Sequence, residues 1–498
     1  MKENTRLLLL ARAWLALAAL QVGFSSCGPE TAGEERVQQR KPPVVSKPTA
    51  VSEIVHIPER ARVNQQNLGY TLPKDVLWHL FGANGINIIP AWDLTNGTLT
   101  NTIVVVDDGF LPSSPAFSGC ASKYLDISVG EKQPAEDFHG AAVVSLLSTC
   151  PGNSLGLVGV DNASPVIWLS TDQNTYVALA WVLGALDCAK WKCTKVLAKP
   201  PDVINMSFSN AGETVAAQQE IQVSFLILSQ KARDKGTLLV ASSGNTSKNA
   251  DMEFPRSLSG VIAVGATNKE GKAADYSNWG HTIDVLAPGD RVPIVSERGA
   301  ILAGGTSFAS PVVAGVVSLM KSVYRELSWK TAIYFLQTTS VPMDCDAYCV
   351  GRADCIRDCC KGGVQVCTPG RVDAGAAVLA AKNAARDGLP KVALVDADEF
   401  AIALIPAGTG VKGKFTIRNV GGLNGRYLLT SDNPRITLMP AAVDLDEKGG
   451  AHDHEEITIA SNMSHPGWVN IAIKSPEAGI IAGYTDEIVV SALRVEPK

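Results

Sequence analysis

Residues 303–315 read Ala-Gly-Gly-Thr-Ser-Phe-Ala-Ser-Pro-Val-Val-Ala-Gly. The stretch 310–327, "SPVVAGVVSLMKSVYREL", continues it with the apolar spacing of a helix. A glycine turn therefore runs into a helix with Thr306 and Ser307 at the junction. Hydroxyls at such a junction commonly cap the first backbone N–H groups, which have no intrahelical partner. Those same N–H groups can also face a developing oxyanion, with the serine as nucleophile. Thr306-Ser307 is expected to do both, as cap and as presented nucleophile. Pro311 is expected in the first turn, where its missing N–H would cost nothing.

Working outward, the region from about Leu72 to Gly388 alternates short apolar runs with longer helical segments. "TIVVVDD" (102–108), "PVIWLS" (165–170), "VINMSFS" (203–209), "TLLVASSGN" (237–245) and "GVIAVGAT" (260–267) read as buried strands. Their apolar positions are continuous rather than alternating, which suits a parallel sheet covered on both faces. Residues 141–150, 176–191 and 216–236 read as further helices, the last ending at Lys235-Gly236. This pattern predicts a doubly wound α/β domain over 72–388. Beyond Pro390 the texture changes to short alternating strands at 413–420, 425–431, 435–440, 455–461, 467–475 and 486–495. They predict an all-β sandwich over 389–498.

The 498 residues suffice for two or three domains, 46% of them are hydrophobic, and the net charge is −5. Lys and Arg are scattered, so no nucleic-acid surface is expected. Residues 1–27 read as a secretory signal. Lys2, Arg6 and Arg12 precede an apolar run, then come Ser25, Ser26 and Cys27. The ending resembles a bacterial lipoprotein signal, which makes Cys27 the expected lipidation site and leaves residues 28–71 as tether and N-terminal extension. No other segment is read as a membrane span. With Cys27 set aside, ten of the eleven cysteines remain, an even number consistent with disulfides in an oxidising compartment. Cys120–Cys150 and Cys188–Cys193 are the expected pairs. The six cysteines of 345–367 read as a disulfide-stapled loop, since they lack paired C-x-x-C spacing and a nearby histidine for zinc. His452, Asp453, His454, Glu455 and Glu456 fit either a metal site or a solvated loop, and the loop is the better reading.

Chemistry in an open α/β sheet collects at the carboxyl ends of strands. Asp107 and Asp108 end one strand, His139 opens a helix beside Gly140, Asn245 follows another strand, and Ser307 opens a second helix. A neutral imidazole can take a serine proton, and a carboxylate can hold the imidazole in the useful tautomer. Singly, each residue has a structural explanation. Their order, Asp then His then Ser, is that of the subtilisin triad.

Residues 72–388 thus resemble the subtilisin-like serine proteases, or subtilases. The motifs are "VVVDDG", "HGAAVVS" and "GGTSFASPVVAG", together with "SSGN", "FPRSLSGVIAVGAT", "DVLAPG" and "GRVDAGAAV". The resemblance implies a serine endopeptidase with Ser307 as nucleophile, His139 as general base and acid, and Asp107 orienting His139. Asn245 and the Ser307 N–H would hold the oxyanion. Backbone of Ser207, Phe208 and Ser209 would pair with extended substrate, and Ser242, Ser243 and Gly244 would wall the primary specificity pocket. Cys345–Cys367 becomes an insertion before the last helix of the protease domain.

Several positions depart from the family pattern. Asp108 replaces Ser or Thr, Ala141, Val144 and Ser145 alter the histidine motif, and Ser209 replaces a glycine. Residues 151–159 resemble a calcium-binding loop in which Asn153 matches one ligand, but Ala116 stands where an aspartate is expected, which counts against a structural calcium. The chemistry needs no cofactor and no metal. The expected partners are protein or peptide substrates, with contact to a membrane only through the lipid anchor. The chain is expected to be monomeric and exported, either to the bacterial cell envelope as a lipoprotein or as a secreted protein. The rival reading is a weakly active or inactive binding protein of the same fold. A third makes the sandwich a surface-adhesion module.

Overall fold

The computed structural model describes residues 72–109, 113–117, 120, 124–128, 138–170, 175–185, 197, 199–208, 215–251, 253–361, 364–365, 369–388, 395–397, 405–406, 412–431, 435–461, 467–474 and 487–496. The expected signal, Cys27, the tether, Ser209 and the pair Cys188–Cys193 lie outside them.

A seven-stranded parallel sheet forms the first body. Its strands are β1 (Ile103–Asp107), β2 (Tyr124–Ser128), β3 (Val166–Ser170), β4 (Val203–Met206), β5 (Leu238–Ser242), β6 (Val261–Thr267) and β7 (Val285–Pro288), in the spatial order β2-β3-β1-β4-β5-β6-β7. Alternation along β1 shows why the run must be apolar throughout. Ile103 and Val105 join one hydrophobic cluster and Val104 and Val106 the other, and all four are fully buried. Two short helices, α1 (Trp78–Phe81) and α2 (Ile88–Trp92), come first among the described residues. Next, α3 (His139–Leu147) lies on the Val105 side, and α4 (Thr175–Val182) and α5 (Val215–Asp234) on the Val104 side. Gly236, just beyond α5, has φ +69°, as its expected end requires. The strands β8 (Val292–Ser296) and β9 (Gly299–Ala303) form a hairpin that leads into α6 (Thr306–Val323). Then α7 (Trp329–Thr338) follows.

Neither β2 nor β7 was expected from sequence. Each is short and interrupted, by Asp126 in one case and Pro288 in the other. The free edge of β7 is covered, because Leu286 exchanges backbone bonds with Gly370 and Val372. The helix α6 begins at Thr306, four residues before its apolar spacing becomes legible. By length and composition α6 is apolar enough to cross a membrane, against the expectation that no segment beyond the N-terminal signal is; 89% of it is buried inside the protein, so it is a core helix, and the N-terminal run itself reads as too short for a span.

The cysteine-rich insertion contains α8 (Cys345–Cys349), α9 (Ala353–Cys359) and a two-residue ladder of β10 (Cys360–Lys361) and β11 (Val364–Gln365). Disulfides join Cys345 to Cys360 and Cys349 to Cys355, and Cys359 is also disulfide-bonded. Cys120 pairs with Cys150. Finally α10 (Ala374–Asp387) starts on Asp373, whose carboxylate accepts from Ala376 N–H.

The second body has two sheets. One contains β12 (Val395–Ala397), β14 (Lys412–Asn419), β16 (Ile436–Met439) and β18 (His454–Ser461). The other contains β13 (Ile405–Pro406), β15 (Gly425–Ser431), β17 (Ala442–Leu445), β19 (Gly467–Lys474) and β20 (Glu487–Glu496). In β15 burial alternates strictly, with Tyr427 and Leu429 inside and Arg426 and Leu428 outside. Phe415, Ile417, Ile457, Ile459, Ile471 and Ile473 complete the inner faces.

Candidate active site

The carboxyl end of β1 carries Asp107, which is only 5% exposed. Its Oδ1 lies 2.7 Å from His139 Nδ1 and accepts the Asp108 N–H at 2.9 Å. Burial of a lone carboxylate is costly, and these two donors supply the partners it needs. Its Oδ2 is buried without a hydrogen-bond donor among the described residues. The turn after β1 also holds α3 in place. Gly140 N–H donates to Asp108 C=O and Ala141 N–H to Gly109 C=O, so backbone closes the start of the helix. Gly140 is required for this approach. A Cβ there would lie 2.4 Å from Asp108 O and 2.7 Å from Trp168 Nε1.

The start of α6 lies against His139, whose ring is 5.8 Å from that of Phe308, the residue after Ser307. The expected capping by Thr306-Ser307 does not occur. The N-cap position is Gly305, which has no side chain. Instead Asn245 caps the helix from the turn after β5. Its Oδ1 accepts from Thr306 N–H and Thr306 Oγ1, both at 2.8 Å. Thr306 Oγ1 in turn accepts from Gly244 N–H at 3.0 Å. With Oδ1 so engaged, Nδ2 lies beside the N-cap residue, 3.5 Å from where a Cβ on Gly305 would stand. Pro311 is the sixth helical residue rather than one of the first turn.

Ser307 is 4% exposed, and its Oγ donates to Ser207 C=O at 3.2 Å. Ser207 Oγ donates back to Ser307 C=O at 2.8 Å. Phe208 is buried against Phe225, with ring centroids 6.4 Å apart. Ser242 C=O accepts from Arg256 Nε at 2.7 Å, and Ser243 N–H donates to Val264 C=O at 2.8 Å. Asp107, His139, Ser207, Gly244, Asn245 and Ser307 are thus linked around the start of α6. Sequence reasoning missed the pair behind the Ser242–Gly244 turn. Arg256 is 1% exposed and bonds Glu253, whose Oε2 also accepts from Asn278 Nδ2 at 3.0 Å. Burial lowers the Arg256 pKa to about 10, with Glu253 opposing the shift. A charged residue inside the otherwise apolar stretch "FPRSL" was the available signal.

The loop 151–159 does not fit a calcium ion. Asn153 Nδ2 donates to Cys150 C=O and Leu157 C=O, both at 2.7 Å, so an amide rather than a cation faces these carbonyls. The opposing position is Ala116, which offers no oxygen from its side chain. In the C-terminal body His452 pairs with Glu455 at 3.3 Å and His454 with Asp453 at 2.7 Å. Among the described residues, the ligand atoms that converge within 4.8 Å are those of Asp107, Asp108 and His139, not of this cluster.

Comparison with known proteins gives the family of this fold. The model of the subtilase family matches residues 100–377. The chain belongs to the subtilase family. This subtilase is 28% identical over 338 residues to an extracellular protease of Xanthomonas campestris, covering 60% of the chain and 54% of the relative. It is 29% identical over 238 residues to a thermophilic serine proteinase of Bacillus sp. strain AK1, covering 47% and 55%. The chain therefore spans about half the length of these relatives. A solved protease from Pseudoalteromonas arctica shares the fold, with a TM-score of 0.51 and 23% identity over 63% of this chain and 99% of that one. The two C-terminal sheets lie beyond the matched segment.

Proposed function

We propose that this subtilase is an exported serine endopeptidase that hydrolyses peptide bonds in protein substrates. The observation that carries the reading is the 2.7 Å contact between Asp107 Oδ1 and His139 Nδ1. A carboxylate accepts there, so Nδ1 holds the proton and Nε2 is left as the base. His139 takes the Ser307 proton as Oγ attacks the substrate carbonyl. The tetrahedral oxyanion is held by the Ser307 N–H and Asn245 Nδ2. His139 then protonates the leaving amine, and water repeats the sequence on the acyl-enzyme. Backbone of Ser207, Phe208 and Ser209 pairs with extended substrate, and Ser242, Ser243 and Gly244 wall the pocket for the side chain before the cleaved bond. Export is supported by the N-terminal signal and by the Xanthomonas relative described as an extracellular protease, and Cys27 as lipid anchor by the lipoprotein-like end of that signal. No metal is assigned a role.

The solvent-shielded Asp107 Oδ2, which lacks a donor among the described residues, favours the second reading, a binding protein of low activity. Digestion of an unfolded protein by the mature chain, beside His139→Ala, separates the two. Cleavage that disappears in the variant supports the endopeptidase. Equal traces from both leave only the binding role.

A further inference from the structure

Proline inside α6 removes a donor at a sensitive place. In a regular helix the N–H of residue 311 would serve the carbonyl of residue 307, but Pro311 has none. That carbonyl belongs to the residue proposed as nucleophile, and a buried carbonyl left short of donors is costly. Ser207 Oγ supplies a donor to it at 2.8 Å. The hydroxyl cannot turn elsewhere without loss, because it accepts from Asn205 Nδ2 at 2.9 Å. Asn205 Oδ1 is fixed in turn by Ser310 Oγ at 2.7 Å, from the same turn of α6. All four residues are buried, Asn205 and Ser310 completely. The result is a closed loop of polar contacts, from Ser307 through Ser207 and Asn205 to Ser310. It ties the first turn of α6 to the end of β4.

We infer that the Ser207 hydroxyl, held by Asn205, is a positioning element for Ser307. It stands in for the helical donor missing at Pro311, and so fixes where Oγ and the Ser307 N–H sit relative to the strand that pairs with substrate. This rests on the proposed peptidase chemistry. The hydroxyl touches neither substrate nor the reacting atoms, whereas the Ser207 backbone is the part assigned to substrate. Loss of the hydroxyl should therefore fall on kcat and spare KM. Misplacement of a reacting group by a fraction of an ångström to one ångström costs about 10- to 100-fold in rate.

The test is a cycle in the full mature chain, with active sites counted by a fluorophosphonate probe and kcat and KM measured on a chromogenic peptide. Ser207→Ala is expected to keep the wild-type fold by circular dichroism and lower kcat by about 10- to 100-fold with little change in KM. Ser207→Thr, which keeps the hydroxyl, is expected to recover most of the loss. Pro311→Ala restores an N–H at the helical position, so adding Ser207→Ala to it should cost several-fold less than in the wild-type background, whatever Pro311→Ala does alone. An equal cost in both backgrounds, or a change confined to KM, overturns the positioning role while leaving the peptidase reading intact. A wild-type chain that the probe does not label sinks the peptidase reading and this inference with it.

Discussion

Asn245 holds two positions at once, and two substitutions separate them. Its Oδ1 caps α6 through Thr306 N–H and Oγ1, and its Nδ2 side is the proposed oxyanion donor. Asn245→Ala removes both. Loss of an N-cap costs about 0.5–2 kcal/mol, which shifts Tm by about 2–4 °C per kcal/mol in a domain of this size. Loss of one oxyanion donor lowers kcat by about 100- to 1,000-fold. Asn245→Asp keeps an acceptor for Thr306 N–H and adds a negative charge near the start of a helix, where it is stabilising by about 0.3–1 kcal/mol. The same charge faces the oxyanion, so kcat should fall at least as far as in Asn245→Ala. Thermal unfolding and single-turnover cleavage of a peptide ester read the two effects independently. The reasoning predicts a lowered Tm only for Ala and a lowered kcat for both. Wild-type kcat in Asn245→Asp, or an unchanged Tm in Asn245→Ala, would refute it.

Other consequences follow from buried groups. His79 on α1 is 1% exposed, and neither ring nitrogen has a hydrogen-bond partner among the described residues. Burial lowers its pKa from 6.5 to about 3, so between those pH values the unfolded chain binds a proton that the folded chain does not. Stability is complete above pH 6.5 and falls as pH drops through that window, by up to about 1.4 kcal/mol per unit. In urea melts at pH 7 and pH 4.5, His79→Leu should flatten this dependence; an unchanged slope counts against it. Cys120–Cys150 spans 30 residues and encloses the His139 segment. Replacing both cysteines by serine should cost about 3 kcal/mol, and denaturant midpoints that match wild type would exclude that contribution. Because Asn153 occupies the loop carbonyls, EDTA should leave Tm unchanged; a marked fall would restore the calcium reading.

The parallel sheet was legible because β1, β3, β4, β5 and β6 carry apolar residues on both faces, with polar side chains only at Asp107, Ser170, Asn205, Ser242 and Thr267, a pattern that burial on both faces explains. The sandwich was legible from short strands set apart by turn residues, although in β15 the alternation of burial is clearer than that of sequence, because the outward-facing Leu428 is apolar. What escaped was set by contacts distant in sequence. Asn245 caps a helix that starts 61 residues later, so no local signal at Gly305–Ser307 could reveal it. The Ser207 contact to Ser307 crosses 100 residues. Arg256 is readable as a polar interruption, but its burial behind Ser242 depends on how β5 and β6 lie side by side. Asn153 was legible as a loop residue matching a calcium ligand and Ala116 as a missing one, whereas the direction of the Asn153 carboxamide, which donates to Cys150 and Leu157 C=O, was not.

The most direct measurement is fluorophosphonate labelling of the mature protein with mass-spectrometric mapping of the modified residue, beside Ser307→Ala and His139→Ala. The account predicts a single adduct on Ser307, absent in the first variant and formed much more slowly in the second. A well-folded wild-type protein that stays unlabelled, or an adduct on another residue, would contradict it.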